Sequence, residues 1–322
     1  MLSVNSTPVF ASPAVGEPPH RVTSIPRWHF AMLNDHQRNQ AFYEAIEATD
    51  FSGKTVLDIG TGSGLLAMLI ARKGARHVYT CEFNTRVADK AREIIRANGL
   101  EQQVTVINKM STDLLSGVDV PRHIDVMISE TVDCGFFGEG FGMALLHAKR
   151  ELLKPDAEVI PRAVTLNACL LSSQDVANLN GVHDDIYGLD VSAFNQFKTA
   201  GYFPVRLQTW PHQLISDPVE FYSARFEGRV SFDMASEMTF TADANAVAHG
   251  VVFWFDLYLK DDNCLSNDPH NSRSHWMQAV QLFDSPVYVR QGQDYQVPFS
   301  IDCSGVQFGD SLSTGALRTI AG

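Results

Sequence analysis

The chain has no run of eighteen or more apolar residues, so it offers no candidate membrane span. Its 25 Lys and Arg are outnumbered by 37 Asp and Glu, a formal net charge of −12. No basic cluster is long enough to track a phosphate backbone, so neither nucleic acid nor a membrane is an expected partner. Cysteine is scarce. Cys81, Cys134, Cys169, Cys264 and Cys303 are odd in number and contain no Cys-x-x-Cys pair, which speaks for reduced thiols and against a zinc site. Histidines such as His147, His183 and His212 show no metal spacing, and no metal is expected. The first 26 residues lack the basic start and apolar stretch of a secretion signal. Five prolines and several serines there mark a flexible extension instead, and the expected location is cytoplasmic.

What is present is a globular composition, 45% apolar and 19% charged, over 322 residues, enough for two cores. Asp35 to Ala48 has helical spacing, with Phe42, Ala45 and Ile46 apolar and Asp35 as N-cap. Strand and helix patterns then alternate: strand 54–59, helix 63–73, strand 77–82, helix 84–98, strand 103–107, strand 124–129, helix 139–153 and strand 157–160. This is an α/β pattern, a mostly parallel sheet covered on both faces. Pro161 ends it. Beyond lie β-rich runs at Val164–Leu171, Phe226–Phe232, Met238–Ala242, Val251–Leu259, Trp276–Phe283 and Val287–Val289, which suggest a barrel or sandwich. The expected division is an extension over 1–26, a ligand-binding α/β domain over 27–160 and a β-barrel-like domain over 161–322. A polar insert at about 172–196 interrupts the strands, either as an arm for another subunit or as an ordinary surface excursion.

Two places in the first half carry chemistry. The run Thr55–Ile59 stops at Gly60-Thr61-Gly62-Ser63-Gly64, a helix follows, and the next strand ends at Glu82. Strand, glycine turn, helix, strand and acid make a nucleotide-binding unit in which the acid accepts ribose hydroxyls. Asp58, before the turn, would repel a pyrophosphate and suits a ligand bearing an ammonium, as S-adenosylmethionine does. The second place follows the apolar run Ile124–Ile128. Glu130 and Glu139 sit nine positions apart on one loop at a predicted strand end, where two carboxylates can grip a planar guanidinium.

With the β-rich second half, these motifs resemble the protein arginine N-methyltransferase family. Met32-Leu33-Asn34-Asp35-His36-Gln37-Arg38 is similar to that family's helix leading into the cofactor domain, and Ser274-His275-Trp276 to its Thr-His-Trp loop. The likeness runs from about Trp28 to near the C-terminus. Asn108-Lys109-Met110-Ser111-Thr112-Asp113, Gly138-Glu139-Gly140 and His275-Trp276-Met277-Gln278 are most similar to the type III, monomethylating branch. The more common pattern, with Trp after the first glutamate and Ser-Met after the second, is replaced here by Thr131, Gly140 and Phe141.

The resemblance implies a Rossmann-like methyltransferase domain followed by a β-barrel-like domain with a dimerisation arm, and a homodimer. S-adenosyl-L-methionine would be the methyl donor and S-adenosyl-L-homocysteine the product. Met32, Arg38, Asp58, Gly60, Gly62, Glu82, Met110, Ser111 and Glu130 would hold the donor, with Arg38 on its carboxylate and Glu82 on its ribose. Glu130 and Glu139 would clamp the substrate guanidinium, Trp276 would line the entrance, and Asp133 would tune substrate choice. His275, paired with Asp35, either takes the released proton or braces the N-terminal helix. The acceptor is arginine in proteins or free L-arginine. Readings outside this chemistry are a silent cofactor-binding scaffold, which would tolerate loss of a clamp glutamate, and a methyltransferase for an unrelated small molecule, which would need neither glutamate.

Overall fold

The structure, a computed structural model, describes residues 25, 28–182 and 185–314. The expected extension over 1–26 lies outside these apart from Ile25, as do His183 and Asp184 of the insert. Two short helices, α1 (Trp28–Leu33) and α2 (His36–Glu47), lead in. Asp35 is the N-cap of α2, its carboxylate accepting the Arg38 N–H, the geometry that satisfies an orphan helical donor.

There follow β1 (Thr55–Ile59), α3 (Leu65–Arg72), β2 (His77–Cys81), α4 (Thr85–Ala97), β3 (Val104–Ile107), β4 (Ile124–Ser129), α5 (Phe141–His147) and β5 (Leu153–Ile160). The five strands form one parallel sheet in the order β3-β2-β1-β4-β5. All five residues of β1 are buried, which is why its run is mostly apolar rather than alternating, with Asp58 as the buried exception. The strand order reverses between β1 and β4, and the loops after both strands open at that crevice.

The helix expected over 139–153 is shorter. Gly140 (φ +85°) takes a left-handed conformation as its cap, α5 covers only Phe141–His147, and a wider π-helical turn runs from Ala148 to Leu152. Glu139 therefore stands on the loop, not on the helix. Gly142 lets the second domain approach: a Cβ there would lie 2.5 Å from the Cys303 carbonyl.

The second half is antiparallel. Its larger sheet has seven strands: β6 (Ala163–Ser172), β7 (Phe203–Val205), β8 (Gln213–Leu214), β9 (Val219–Arg225), β11 (Ala246–Lys260), β12 (Asn263–Ser266) and β13 (Gln278–Val289). A smaller sheet holds β10 (Met234–Thr241), β14 (Asp294–Asp302), β15 (Gly305–Phe308) and β16 (Ser313–Thr314). Between β6 and β7 the described residues of the insert carry a short helix, α6 (Gln174–Ala177), and a 3-10 stretch, Ser192–Phe197.

Two strand expectations fail. Phe226–Phe232 is not a strand: Gly228 breaks it at φ +63°, and Phe226 and Phe232 are buried against the loop that carries the two glutamates. Trp276 precedes its strand and sits in a loop. Phe136 anchors the contact between the halves, with ring centroids 5.0 Å from Phe141, 6.0 Å from Phe226 and 6.4 Å from Phe255. Truncating this cluster leaves a cavity in a close-packed interior. Phe226→Ala is expected to destabilise the protein by about 3–5 kcal/mol, read as a lower denaturant midpoint; a midpoint equal to wild type would show that the cluster does not join the halves.

Candidate active site

A cavity of about 560 Å³ opens at the ends of β1, β2 and β4. Of the residues singled out from the sequence, Met32, Arg38, Gly60, Gly62, Glu82, Met110, Ser111, Glu130 and Glu139 line it. Asp58, Asp35, Asp133, His275 and Trp276 do not line it.

The glycine turn forms one side. The Gly60 and Thr61 N–H groups donate to the Cys81 carbonyl at 3.1 and 3.0 Å, tying the turn to the end of β2. Gly60 adopts φ +89°, and a Cβ there would come within 2.6 Å of the Thr131 methyl, so only glycine lets the turn pass the clamp loop. The Glu82 carboxylate accepts the Gly62 N–H at 3.2 Å and the Asn84 N–H at 2.9 Å. Behind the turn, Asp58 is buried and accepts the Thr80 hydroxyl at 2.7 Å through one oxygen, while its other oxygen has no partner. Burial pushes its carboxyl up to about 7, against the pull of the Thr80 hydrogen bond and the Arg38 charge.

Arg38 reaches Glu130 at 2.5 Å, with their side chains only 4% and 6% exposed. Its guanidinium also bonds Asn39 and lies over the Phe42 ring, yet its Nε–H is buried without a partner. Arg38 lines the cavity and keeps a buried guanidinium N–H without a partner, and Asp58, just behind the glycine turn, keeps a buried carboxylate oxygen without one. An amino acid zwitterion supplies what both lack, an ammonium for Asp58 and a carboxylate for Arg38, and with Glu82 available for ribose hydroxyls the residues fit S-adenosylmethionine.

Glu139 also lines the cavity and is exposed. Partial desolvation pushes its carboxyl up to about 7, helped by repulsion from Glu130 and Asp133. Asp133 contributes only from a distance, because both of its oxygens are engaged within the loop and by Tyr202. Asp133 was expected to tune substrate choice; it does not line the cavity, and its carboxylate is bonded within the loop and to Tyr202.

Asp35 ties the entry helix to the second domain. One oxygen caps α2, and the other accepts the His275 backbone N–H at 2.8 Å and bonds its ring Nδ1 at 2.9 Å. Burial alone would raise its carboxyl, but the His275 ring, the two backbone N–H groups and the histidine charge together hold it at about 2. This pairing ties His275 to the N-cap of the helix that carries Arg38. Trp276, expected at the entrance, is instead buried, its indole donating to the Val132 carbonyl at 2.9 Å and its ring packing edge-on to Phe255. Thr80, Tyr202 and Asn267 were not singled out from the sequence, because a lone Thr, Tyr or Asn carries no spacing signal.

Comparison with known proteins agrees with this geometry. A family described as the arginine methyltransferase oligomerization subdomain matches residues 162–309, and one described as ribosomal protein L11 methyltransferase matches 34–131. An arginine N(omega)-methyltransferase of Streptomyces achromogenes subsp. streptozoticus is 44% identical over 278 residues, covering 84% of this chain and 74% of that protein. Protein arginine N-methyltransferase 9 of Mus musculus is 29% identical over 289 residues, 80% of this chain but only 34% of its own length. Among solved structures, the Trypanosoma brucei PRMT1 enzyme-prozyme heterotetrameric complex with AdoHcy superimposes with a TM-score of 0.72 at 24% identity, covering 84% of this chain and 86% of that one. At that identity it speaks to the fold.

The position of Glu139 gives a pH dependence. Its carboxyl is neutral below about 7 and charged above it, and only the charged form pairs with a guanidinium. With the methyl-donor site kept saturated by S-adenosylhomocysteine, calorimetry should show arginine binding that tightens as pH rises through about 7, and this rise should vanish in Glu139→Gln. A flat profile in the wild type would remove Glu139 from guanidinium binding.

Proposed function

The chain belongs to the arginine N-methyltransferase family, and we propose that it transfers one methyl group to an ω-nitrogen of free L-arginine. The family and the S-adenosylmethionine-dependent methylation of arginine follow from the 44% identity to a curated arginine methyltransferase over most of both chains. The same relative supports the acceptor: it is named for arginine, whereas the relatives named for protein arginine share 28–29% identity and are spanned over only 34–45% of their length. Arginine within a protein is the alternative acceptor, and the net charge of −12 favours neither.

S-adenosylmethionine, when bound, supplies an electrophilic methyl group on a sulfonium. In the proposed assignment Arg38 and Asp58 bind its amino acid end, Glu82 its ribose, Met32, Gly60 and Gly62 lie along it, and Met110 and Ser111 border the adenine. Arg38 has a second task, since its contact with Glu130 fixes the carboxylate that receives the acceptor. Glu130 and Glu139 grip the guanidinium from two sides and hold one ω-nitrogen towards the methyl. Positioning supplies much of the rate, up to roughly 7–11 kcal/mol of barrier in well-oriented systems. The nitrogen sheds one proton as it gains the methyl, and Glu139, with its carboxyl near 7, is matched to receive it at neutral pH. His275 acts as the brace of the entry helix.

The single-methyl reading rests on the Gly138-Glu139-Gly140 similarity to the type III branch and on the donor count of the acceptor. A methylated nitrogen has lost one N–H, which leaves a clamp carboxylate oxygen without a partner. Phe141 plays no direct part in this selection, because it is buried against Phe136 and Phe226 and does not line the cavity. The insert is proposed as a dimerisation arm. It carries exposed apolar residues, among them Ile186, Tyr187, Leu189, Phe194 and Phe197, and α1 and α2 expose Trp28, Phe30 and Tyr43. No helix among the described residues is long and apolar enough to cross a membrane. All five cysteines are free, in keeping with a cytoplasmic setting.

Mass spectrometry after separate incubations with free L-arginine, an arginine-rich peptide library and Nω-monomethylarginine tests acceptor and product together. The expected result is monomethylarginine from free arginine, little peptide modification and little conversion of monomethylarginine. Preferential peptide labelling overturns the acceptor assignment, and efficient dimethylation overturns the single-methyl reading. For the arm, Phe194→Asp with Phe197→Asp should convert a homodimer to monomers by light scattering; a dimer that survives both substitutions places the interface elsewhere.

A further inference from the structure

The loop between Glu130 and Glu139 is held by the second domain at three successive residues. Trp276 donates to the Val132 carbonyl at 2.9 Å, Asn267 donates to the Cys134 carbonyl at 3.0 Å, and between them the Tyr202 hydroxyl donates to the Asp133 carboxylate at 2.9 Å. The first and third hold backbone. The second is different, because Asp133 passes the contact on: its other oxygen accepts the N–H groups of Gly135 at 3.2 Å and Gly138 at 2.8 Å. Gly138 is the residue before Glu139. A chain of hydrogen bonds therefore runs from the barrel-like domain through one carboxylate to the backbone that carries the second clamp glutamate.

The packing is built around this chain. A Cβ on Gly138 would lie 2.4 Å from Asp133 Oδ2 and 3.0 Å from the Tyr202 hydroxyl, and a Cβ on Gly135 would lie 2.6 Å from the Tyr202 ring. Both glycines are thus needed for Tyr202 to reach Asp133. The Tyr202 ring is itself fixed, edge-on to Phe253 with centroids 5.1 Å apart. Neither Tyr202 nor Asp133 lines the cavity, so neither is placed to touch substrate.

We propose that Tyr202 is a positioning residue for methyl transfer, setting the place of Glu139 through Asp133 and Gly138. The proposal rests on the clamp role of Glu139. It gives Asp133 a hydrogen-bonding task and no direct part in choosing the substrate. Tyr202 lies at the root of the insert, immediately before β7, so the segment that leaves the arm is also the one that reaches the clamp.

The experiment measures steady-state kinetics with the acceptor identified by the incubations above, donor-product affinity by calorimetry and melting temperature, on the full chain. Tyr202→Phe keeps the ring and removes the hydroxyl. It should lower kcat/KM for the acceptor about tenfold, a part of the roughly hundredfold that a full 1 Å misplacement can cost, with S-adenosylhomocysteine affinity unchanged. Asp133→Ala should lose at least as much, and Asp133→Asn, which keeps an oxygen for the two glycine N–H groups, should recover part of the loss. The double variant Tyr202→Phe/Asp133→Ala should be no worse than Asp133→Ala alone, because both interrupt one chain. Gly138→Ala, which disturbs the same contact from the other side, should fall in the same direction and decides the question if Tyr202→Phe fails to fold. Wild-type kcat/KM in Tyr202→Phe, losses that multiply in the double variant, or Asp133→Asn as damaging as Asp133→Ala would each overturn the proposal. Glu139→Gln is measured alongside: wild-type turnover there refutes the clamp itself, whereas a collapse there with a silent Tyr202→Phe refutes only the positioning role.

Discussion

Charge balance around one buried guanidinium governs this site. Asp58, Glu82, Glu130, Asp133 and Glu139 gather at the ends of three parallel strands, and Arg38 is the cation that reaches into them. Carboxylates brought together in a poorly hydrated space repel one another and retain protons, and Asp58 and Glu139 both show it with carboxyls near 7. The site is thus short of positive charge by construction. A sulfonium, an ammonium and a guanidinium are the three cations that donor and acceptor bring, so ligand binding relieves the strain that folding leaves. Because Arg38 must be held accurately for this to work, the fold invests in its helix: Asp35 caps α2 and fastens it to His275 of the other domain.

Much of this was legible in the sequence. The glycine turn and its flanking acids can be read because a nucleotide-binding unit is continuous in the chain, each part at a short fixed distance from the next. Glu130 and Glu139 can be read for the same reason. The directions of Asp133 and Trp276 cannot be read in the same way, although they sit in equally conspicuous motifs, because partners far away in sequence help to decide them: Tyr202 bonds the Asp133 carboxylate, and the Val132 carbonyl and Phe255 ring hold Trp276 in the core. Phe226–Phe232 reads as a strand because aromatic residues favour strands, whereas in the fold Phe226 and Phe232 serve a packing surface that has no period.

Rigidity of the clamp loop has a visible source. Phe136, between the glutamates and three residues before Glu139, adopts φ +80°, a left-handed conformation unfavourable for a bulky side chain. It is fully buried among Phe137, Phe141, Phe226 and Phe255, and that packing offsets the backbone cost. The loop is pinned by side-chain burial at Phe136 and by hydrogen bonds near its start, which leaves the glutamates little freedom to relax away from each other despite their mutual repulsion.

The contact between the clamp loop and the barrel-like domain bears on how such proteins can be recombined. In the proposed assignment the methyl-donor site is assembled almost wholly from the first 160 residues, whereas the loop with the two glutamates is hydrogen-bonded by Tyr202, Asn267 and Trp276, which enter from strand margins and loops of the other half. A chimera that joins this first half to a relative's second half would inherit the donor site intact and an unsupported glutamate loop. The inheritable unit for acceptor choice is therefore a set of loops drawn from both halves, and lineages that changed acceptor would have had to change those loops in concert.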